Sequence, residues 1–496
     1  MNLANKLIQN YEKNPQKICL IQKNIQISYE DLYYKVSNFK KYLESKNIKK
    51  GDKVLVLVPM SIELYVVLIA LWSLGAIPAF MDEGFIKNGM KNNEFSDITA
   101  VVGITKYIMY SNINSKLKKL KIKINVNIIN KLTEKLELKN ENLENNYAGI
   151  LTYTSGTTGK PKIAERTHGF LQNQGEILEK LINYEETDIE LSSVPIFTLS
   201  NINVGIVTVI ADADYRSLAN SNPIKLINQI MYNKINRIMA APGILNVIVD
   251  YCIKHNLIIA DVKKVFTGGG AIFSDYLNKI KLTFPNAEIV TLYGSTEAEP
   301  IAILNVNELT QGDMIQTKNG KGILAGNIVG VDECKIIRST DKNIDDMTAQ
   351  EFKYLQTKGI GEIVVCGKNV LSVYVGGYGD AENKFAVDGV KYHRTGDLGH
   401  IDKDGKLWLR GRKNEPFLNI EASLHMQLVI GKTAVFKQGK KTILVLENKC
   451  NYTVEQIQNV INFAKIDEVK YVKSIPVDKR HNAKVDYNKL KEMLNK

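Results

Sequence analysis

Residues Tyr153-Thr154-Ser155-Gly156-Thr157-Thr158-Gly159-Lys160-Pro161-Lys162 crowd hydroxyls, glycines and lysines into one short stretch. Glycines let backbone N–H groups approach an anion, the hydroxyls add donors, and Lys160 and Lys162 bring positive charge. Such a loop is suited to holding a triphosphate. It is not the P-loop of the common NTPases, whose pattern puts glycine at position 154 and Ser or Thr at position 161; this chain has Thr154 and Pro161 there. In isolation a hydroxyl-rich surface loop could carry the same core residues, so the rest of the chain must supply the other parts of a nucleotide site.

Further segments do so. In Thr291-Leu292-Tyr293-Gly294-Ser295-Thr296-Glu297 a strand ends in an aromatic face and a tight turn, followed by a hydroxyl and a carboxylate. A carboxylate is the hard oxygen donor required by a cation that bridges phosphates. Upstream, Thr267-Gly268-Gly269-Gly270-Ala271 removes side-chain bulk and permits close backbone approach to a planar ligand. Tyr392-His393-Arg394-Thr395-Gly396-Asp397-Leu398-Gly399 precedes Gly411-Arg412-Lys413, and near the end stands Ile475-Pro476-Val477-Asp478-Lys479-Arg480-His481-Asn482-Ala483-Lys484. His393 reads as a packed strand residue and takes no role.

Taken together, these segments resemble the adenylate-forming superfamily of acyl-CoA synthetases, firefly luciferase and peptide-synthetase adenylation domains, over nearly all of residues 25–490. The resemblance implies that Thr154, Ser155, Gly156, Thr157, Thr158, Gly159 and Lys162 hold the ATP phosphates, and that Gly269 and Gly270 lie between adenine and acyl pocket. Tyr293, with Gly294, would stack on adenine, Thr296 would touch the phosphates and Glu297 would hold Mg²⁺. Asp397 would accept both ribose hydroxyls, as a carboxylate can, and Arg412 would also reach the nucleotide. Lys484 matches a lysine that bridges the carboxylate substrate and the α-phosphate, although Ala483 replaces the usual glycine and the spacing is longer. Phe197, Thr198, Leu199, Asn203, Ala241 and Gly243 are the acyl-pocket candidates.

The variant tail resembles that of the olefin β-lactone synthetases, a branch often labelled fatty-acid CoA ligases. So does Pro195-Ile196-Phe197-Thr198-Leu199-Ser200-Asn201, which lacks the histidine common after Phe elsewhere. One departure stands out. After Lys413 most relatives continue into a glycine-rich loop that lines a pantetheine tunnel, whereas this chain reads Asn414-Glu415-Pro416-Phe417-Leu418-Asn419-Ile420-Glu421. The implied first step is carboxylate plus ATP and Mg²⁺ to acyl-AMP plus pyrophosphate. Three outcomes stay open: closure by the substrate's own 3-hydroxyl to a β-lactone, transfer to the thiol of CoA or carrier-protein pantetheine, or a nucleotide-binding homologue without turnover. A fatty or 3-hydroxy acid is the expected substrate, in fatty-acid or natural-product metabolism.

The elements that must position these residues follow an α/β pattern. Residues 30–82 alternate an amphipathic Lys- and Tyr-rich stretch, a strand at 53–58, a helix from Ser61 and a strand at 76–80, the logic of a parallel sheet with covering helices. Short apolar runs recur at 237–240, 264–267 and 288–292, each ending in Gly, Pro or Ser, and ligand loops sit at such carboxyl ends. Residues 111–146 read as surface helix or strand without chemistry. From Gly359 the texture turns to β, with strands expected at 361–365, 398–401 and 407–410. The last part carries its own strands at 432–436 and 441–446 and a helix after Thr453. The expected division is therefore a large N-terminal AMP-binding domain at 1–411 with a β-rich subdomain, a hinge at 412–414 centred on Asn414, and a small mobile α+β lid at 415–496.

Composition narrows the alternatives. At 496 residues with 44% apolar and 24% charged residues, the chain has the make-up of an ordinary multidomain globular protein. The net charge of +12 is spread over scattered lysines with no aromatic-studded basic stripe, which argues against a nucleic-acid partner. The apolar run from Tyr65 to Phe80 falls short of the roughly 20 residues needed to cross a bilayer, so no integral membrane segment is expected. The five cysteines are far apart, without metal-ligand spacing, which fits a reducing, cytoplasmic setting.

Overall fold

In the computed structural model the described residues are 2–81, 97–114, 117–154, 162–447, 451–477 and 484–495. They form two compact units. One comprises Met1–Asp212 with Leu371–Ala381, the other Ala213–Val370 with Glu382–Lys496.

In the first unit a six-stranded sheet runs Ile122–Asn125, Ile98–Gly103, Lys53–Leu57, Ile77–Met81, Ala148–Thr154, Lys162–Thr167. All neighbours are parallel except the last pair, which is antiparallel. The helix Ile62–Leu74 begins at Ser61, whose hydroxyl caps Leu64 N, and ends at Gly75 in the left-handed region. Every residue of it but Glu63 is buried, which explains an apolar run with no polar stripe. The amphipathic helix Tyr29–Ser45 starts at a reciprocal capping box between Ser28 and Asp31, worth on the order of 1 kcal/mol. A second group of strands, Ile189–Ser192, Val207–Ile210 and Ile18–Gln22, is parallel, with Ile25–Ser28 antiparallel at its edge. Within residues 111–146 the described residues form the end of the helix Thr105–Ile113, the edge strand Ile122–Asn125 and 3₁₀ turns. Their later part is laced to Tyr29–Ser45 by Asn38 Nδ2 donating to Glu134 O and by Leu138 N donating to Tyr33 Oη.

In the second unit Arg237–Met239, Lys264–Gly268 and Glu288–Ser295 are parallel. At Glu288–Ser295 the sheet turns antiparallel and continues through Ala298–Asn305, Ile323–Ile328, Lys406–Arg412, Val390–Ile401, Gly361–Cys366 and Glu333–Ile337. Its core is a cluster including Ile301, Ile336, Ile363, Val365 and Leu407, and the indole of fully buried Trp408 donates to Asp402 Oδ2 at 2.8 Å.

Residues from Glu415 onward belong to this second unit. They contribute the helix Leu418–Gln427, the antiparallel pair Thr433–Gln438 and Lys441–Glu447, and Glu468–Val472 parallel to the latter. The turn at 412–414 is therefore internal to the unit. Ser423 Oγ donates to Lys318 O, and the His425 ring stacks on Phe273 at 4.1 Å while its Nδ1 lies 3.1 Å from Asp275 Oδ2. The α/β architecture expected from the sequence is the one observed. No helix among the described residues is long and apolar enough to cross a membrane.

Candidate active site

In the hydroxyl-rich loop 153–162, Ser155, Gly156, Thr157, Thr158 and Gly159 lie outside the described residues, as do Lys160 and Pro161. Its two ends are described: the backbone of Thr154 stands opposite Lys162 in the antiparallel pair. Lys162, half-buried, extends over the Tyr374 ring with its ammonium 5.5 Å from the centroid. Tyr374 comes from the segment Leu371–Ala381, which returns to this unit and bridges to Ala164. The sequence reading gave that segment no role.

The residues of the second unit expected to meet the nucleotide lie on three pieces of its sheet. Gly269, at φ +87°, and Gly270 follow the strand Lys264–Gly268. Tyr293 and Gly294 close the next strand, and Thr296 and Glu297 form the turn into Ala298–Asn305, both half-buried. Gly294 is required by close approach, since a Cβ there would lie 2.8 Å from Ala298 O. The Glu297 amide donates to Ser295 Oγ at 3.2 Å, which fixes the turn beneath its carboxylate.

Asp397 and Arg412 are cross-strand partners on Val390–Ile401 and Lys406–Arg412. Arg412 Nε lies 3.0 Å from Asp397 Oδ1, and the Tyr293 hydroxyl donates to Asp397 Oδ2 at 2.8 Å. Burial, and then the adjacent Asp397 carboxylate, push the Tyr293 phenol well above its ordinary range, so it stays a donor. A carboxylate offers about four lone-pair sites; with one bond to each oxygen, both retain capacity for a further donor such as a diol. Thr395 sets the backbone of this acid: its hydroxyl donates to Ile363 O and accepts from Asp397 N at 3.1 Å. Arg394 is structural. It is buried against Glu362 at 2.6 Å and also donates to the carbonyls of Thr340 and Lys342. His393 is a buried strand residue whose Nδ1 lies 3.3 Å from Asn383 O, in keeping with its having no assigned role.

The acyl candidates fall in both units. Phe197, Thr198 and Leu199 are buried in the helix Pro195–Val204. Leu199 and Asn203 share a helix face with Ile196 and Ser200 and line a cavity of about 30 Å³ against Trp72 and Leu171, room for about one water. The other side of this helix is anchored by Asn201 Nδ2, which donates to Glu190 Oε1 and Thr208 Oγ1. Ala241 and Gly243, in the second unit, are buried at the start of Pro242–Lys254. Asn414 is exposed in the turn fixed by Lys413 N donating to Gly396 O and Glu415 N donating to Arg412 O. Lys484 is exposed beside the bridge between Val477 and Val485.

The model of the AMP-binding enzyme family matches residues 7–375. The chain belongs to that family. It is an adenylate-forming ligase in class. Among relatives of this AMP-binding enzyme, the olefin beta-lactone synthetase of Xanthomonas campestris pv. campestris is 23% identical, over 94% of this chain and 90% of that protein. The 4-coumarate–CoA ligase of Vanilla planifolia is 24% identical, over 88% of this chain and 83% of that protein. The o-succinylbenzoate coenzyme A synthetase of Bacillus subtilis, solved with ATP and magnesium ion, superposes with a TM-score of 0.76 at 18% identity, over 98% and 99% of the two chains.

A metal would fit Glu297. Its carboxylate is a hard donor at a fixed turn. Among the described residues no group of three or more His, Cys, Asp or Glu gathers that could hold a metal by protein ligands alone. One carboxylate matches a magnesium ion that takes its remaining oxygens from phosphate and water.

Proposed function

We propose that this AMP-binding enzyme activates a fatty or 3-hydroxy acid with ATP and Mg²⁺ as acyl-AMP, and that the adenylate of a 3-hydroxy acid closes on its own 3-hydroxyl to give a β-lactone. The observation that carries the nucleotide half is the Tyr293–Asp397–Arg412 group: a ring for adenine beside a carboxylate with free acceptor capacity for ribose, flanked by a cation. In the first step a substrate carboxylate oxygen attacks the α-phosphorus and the bond to pyrophosphate breaks. No protein nucleophile is required, so orientation and charge neutralisation supply the rate. Residues 154–159 and Lys162 hold the leaving phosphates, with Thr296 beside them. Glu297 holds Mg²⁺, which neutralises phosphate charge when bound. Asp397 and Arg412 hold the ribose, Gly269, Gly270 and Gly294 give the nucleotide room, and Lys484 meets the carboxylate and α-phosphate. The acyl chain runs among Phe197, Thr198, Leu199, Asn203, Ala241 and Gly243.

In the second step the 3-hydroxyl oxygen attacks the activated carbonyl, loses its proton and expels AMP. What supports this acceptor is the likeness to olefin beta-lactone synthetases over most of both lengths, together with the passage from Lys413 through residues 414–417 straight into a buried helix without a glycine-rich loop. A second reading, transfer to CoA or the pantetheine of an acyl-carrier protein, is favoured by the likeness to 4-coumarate–CoA ligases. Residues 415–496 serve as a lid that turns about Asn414 between the two steps, and the enzyme works in the cytoplasm. The first half is tested by identifying the nucleotide product with purified protein and a panel of acids. AMP and pyrophosphate are expected; ADP would refute adenylation.

A further inference from the structure

The segment Leu371–Ala381 is an excursion in the chain. Its neighbours on both sides belong to the second unit, yet it returns to the first and docks against the strand that carries Lys162. Tyr374 forms an antiparallel bridge with Ala164 and is buried with Ala164 and Leu371. Its backbone is tied at both sides: Tyr374 N donates to Asp380 Oδ1 at 2.9 Å, and Gly377 N donates to Tyr374 O at 3.0 Å. Gly376, Gly377 and Gly379 all have positive φ, which lets so short a segment fold back on itself.

The turn brings two surfaces to Lys162. The Tyr374 ring lies under its ammonium, 5.5 Å from the centroid. Gly379, at φ +94°, lies against its methylenes, and a Cβ there would stand 2.8 Å from Lys162 Cε, 2.9 Å from Cδ and 3.1 Å from Cγ. A glycine that accepts a left-handed backbone and a side chain in the place of its own missing one has two reasons to be glycine. Lysine carries a flexible four-carbon stem whose freedom costs free energy to remove. A channel that accepts the stem, and a ring face that attracts the ammonium, limit where the charge can be before a phosphate arrives.

We propose that Leu371–Ala381 is a saddle that aims Lys162, with Gly379 and Tyr374 as positioning residues for the ATP phosphates. This rests on the reading of Lys162 as a phosphate ligand, and it assigns the specificity for pyrophosphate-bearing nucleotides in part to residues remote from the phosphate loop in sequence. The Gly379→Ala variant displaces the stem, and a misplacement of about 1 Å can cost up to roughly 10²-fold. The KM for ATP and the inhibition constant of pyrophosphate should rise about tenfold, within that bound. AMP affinity should stay within about twofold, because AMP lacks the β- and γ-phosphates that Lys162 would meet; this also reports that the protein is folded. Tyr374→Leu should raise the KM for ATP by roughly 2- to 5-fold, the worth of a partly exposed cation–π contact, and Tyr374→Phe, which keeps the ring, should restore it. The deciding measurement is a double-mutant cycle: in a Lys162→Ala background Gly379→Ala should add less than about twofold. Effects of Gly379→Ala that are equal in both backgrounds, or that weaken AMP and ATP alike, would overturn the saddle while leaving adenylation intact. Formation of ADP by the parent enzyme would instead remove the reading on which the saddle rests.

Discussion

Glu421 is buried in the helix Leu418–Gln427, where its Oε1 accepts from Val435 N at 2.9 Å and lies 3.5 Å from the Tyr487 hydroxyl. Burial, opposed by these hydrogen bonds and reinforced by the negative charge of Glu415, pushes the carboxyl from its ordinary 4.5 up to about 8. In the folded protein it therefore stays neutral through the range in which the unfolded chain ionises it. Stability from this group is fully present below about pH 4.5, falls as pH rises toward 8, and does not return above it. At about 1.36 kcal/mol per pH unit, the interval from 4.5 to about 8 sets a ceiling near 5 kcal/mol. Replacing Glu421 by Gln keeps an oxygen for Val435 N and removes the ionisation. Urea unfolding of parent and variant from pH 5 to pH 8 should give profiles that diverge, with Glu421→Gln the more stable at pH 8 by several kcal/mol and nearly equal to the parent at pH 5. Parallel profiles, or a variant uniformly weaker, would refute the assignment of a neutral buried acid.

Other variants probe the nucleotide site. Glu297→Gln should lower activity and raise the Mg²⁺ concentration needed for half-maximal rate; an unchanged Mg²⁺ dependence would place the metal ligand elsewhere. In Asp397→Asn the charge that faces Arg412 and Tyr293 is lost, and AMP affinity measured by calorimetry should fall by about 1.5–3 kcal/mol, the worth of hydrogen bonds to a charged group. Lys484→Ala should slow acyl-AMP formation by roughly 10²-fold or more with an unchanged unfolding midpoint, because this lysine is exposed; a normal single-turnover adenylation rate would contradict its role.

The parts of the fold that were legible in the sequence are those with a local signature. The strands Lys53–Leu57 and Lys264–Gly268 announced themselves by short apolar runs with breakers, and Ile62–Leu74 by Ser61 and Gly75 at its ends. The turn from parallel to antiparallel pairing at Glu288–Ser295 has no local signature, because register is decided by partners distant in sequence. Val390–Ile401 was visible only in its last part, since its earlier residues carry the charged Arg394 and the turn-like Thr395-Gly396, and the pairing shifts register there. The same holds for the site. Tyr293, Asp397 and Arg412 were each singled out by a motif, whereas their bonds to one another come from strand pairing that no motif shows. Tyr374 and Gly379 were missed because nothing near position 371 points back to Lys162. The run Gly376-Gly377-Tyr378-Gly379 was the signal in the sequence that could have marked this segment as a built turn, and all three glycines do take positive φ.

Closure of the acyl-adenylate on its own hydroxyl is read out by product analysis with matched acids. Purified enzyme, ATP and Mg²⁺ should convert a 3-hydroxy fatty acid to β-lactone, AMP and pyrophosphate without CoA, while the matching acid lacking the hydroxyl stalls at bound acyl-AMP. CoA-dependent thioester from the acid lacking the hydroxyl, with the 3-hydroxy acid no better a substrate, would contradict it.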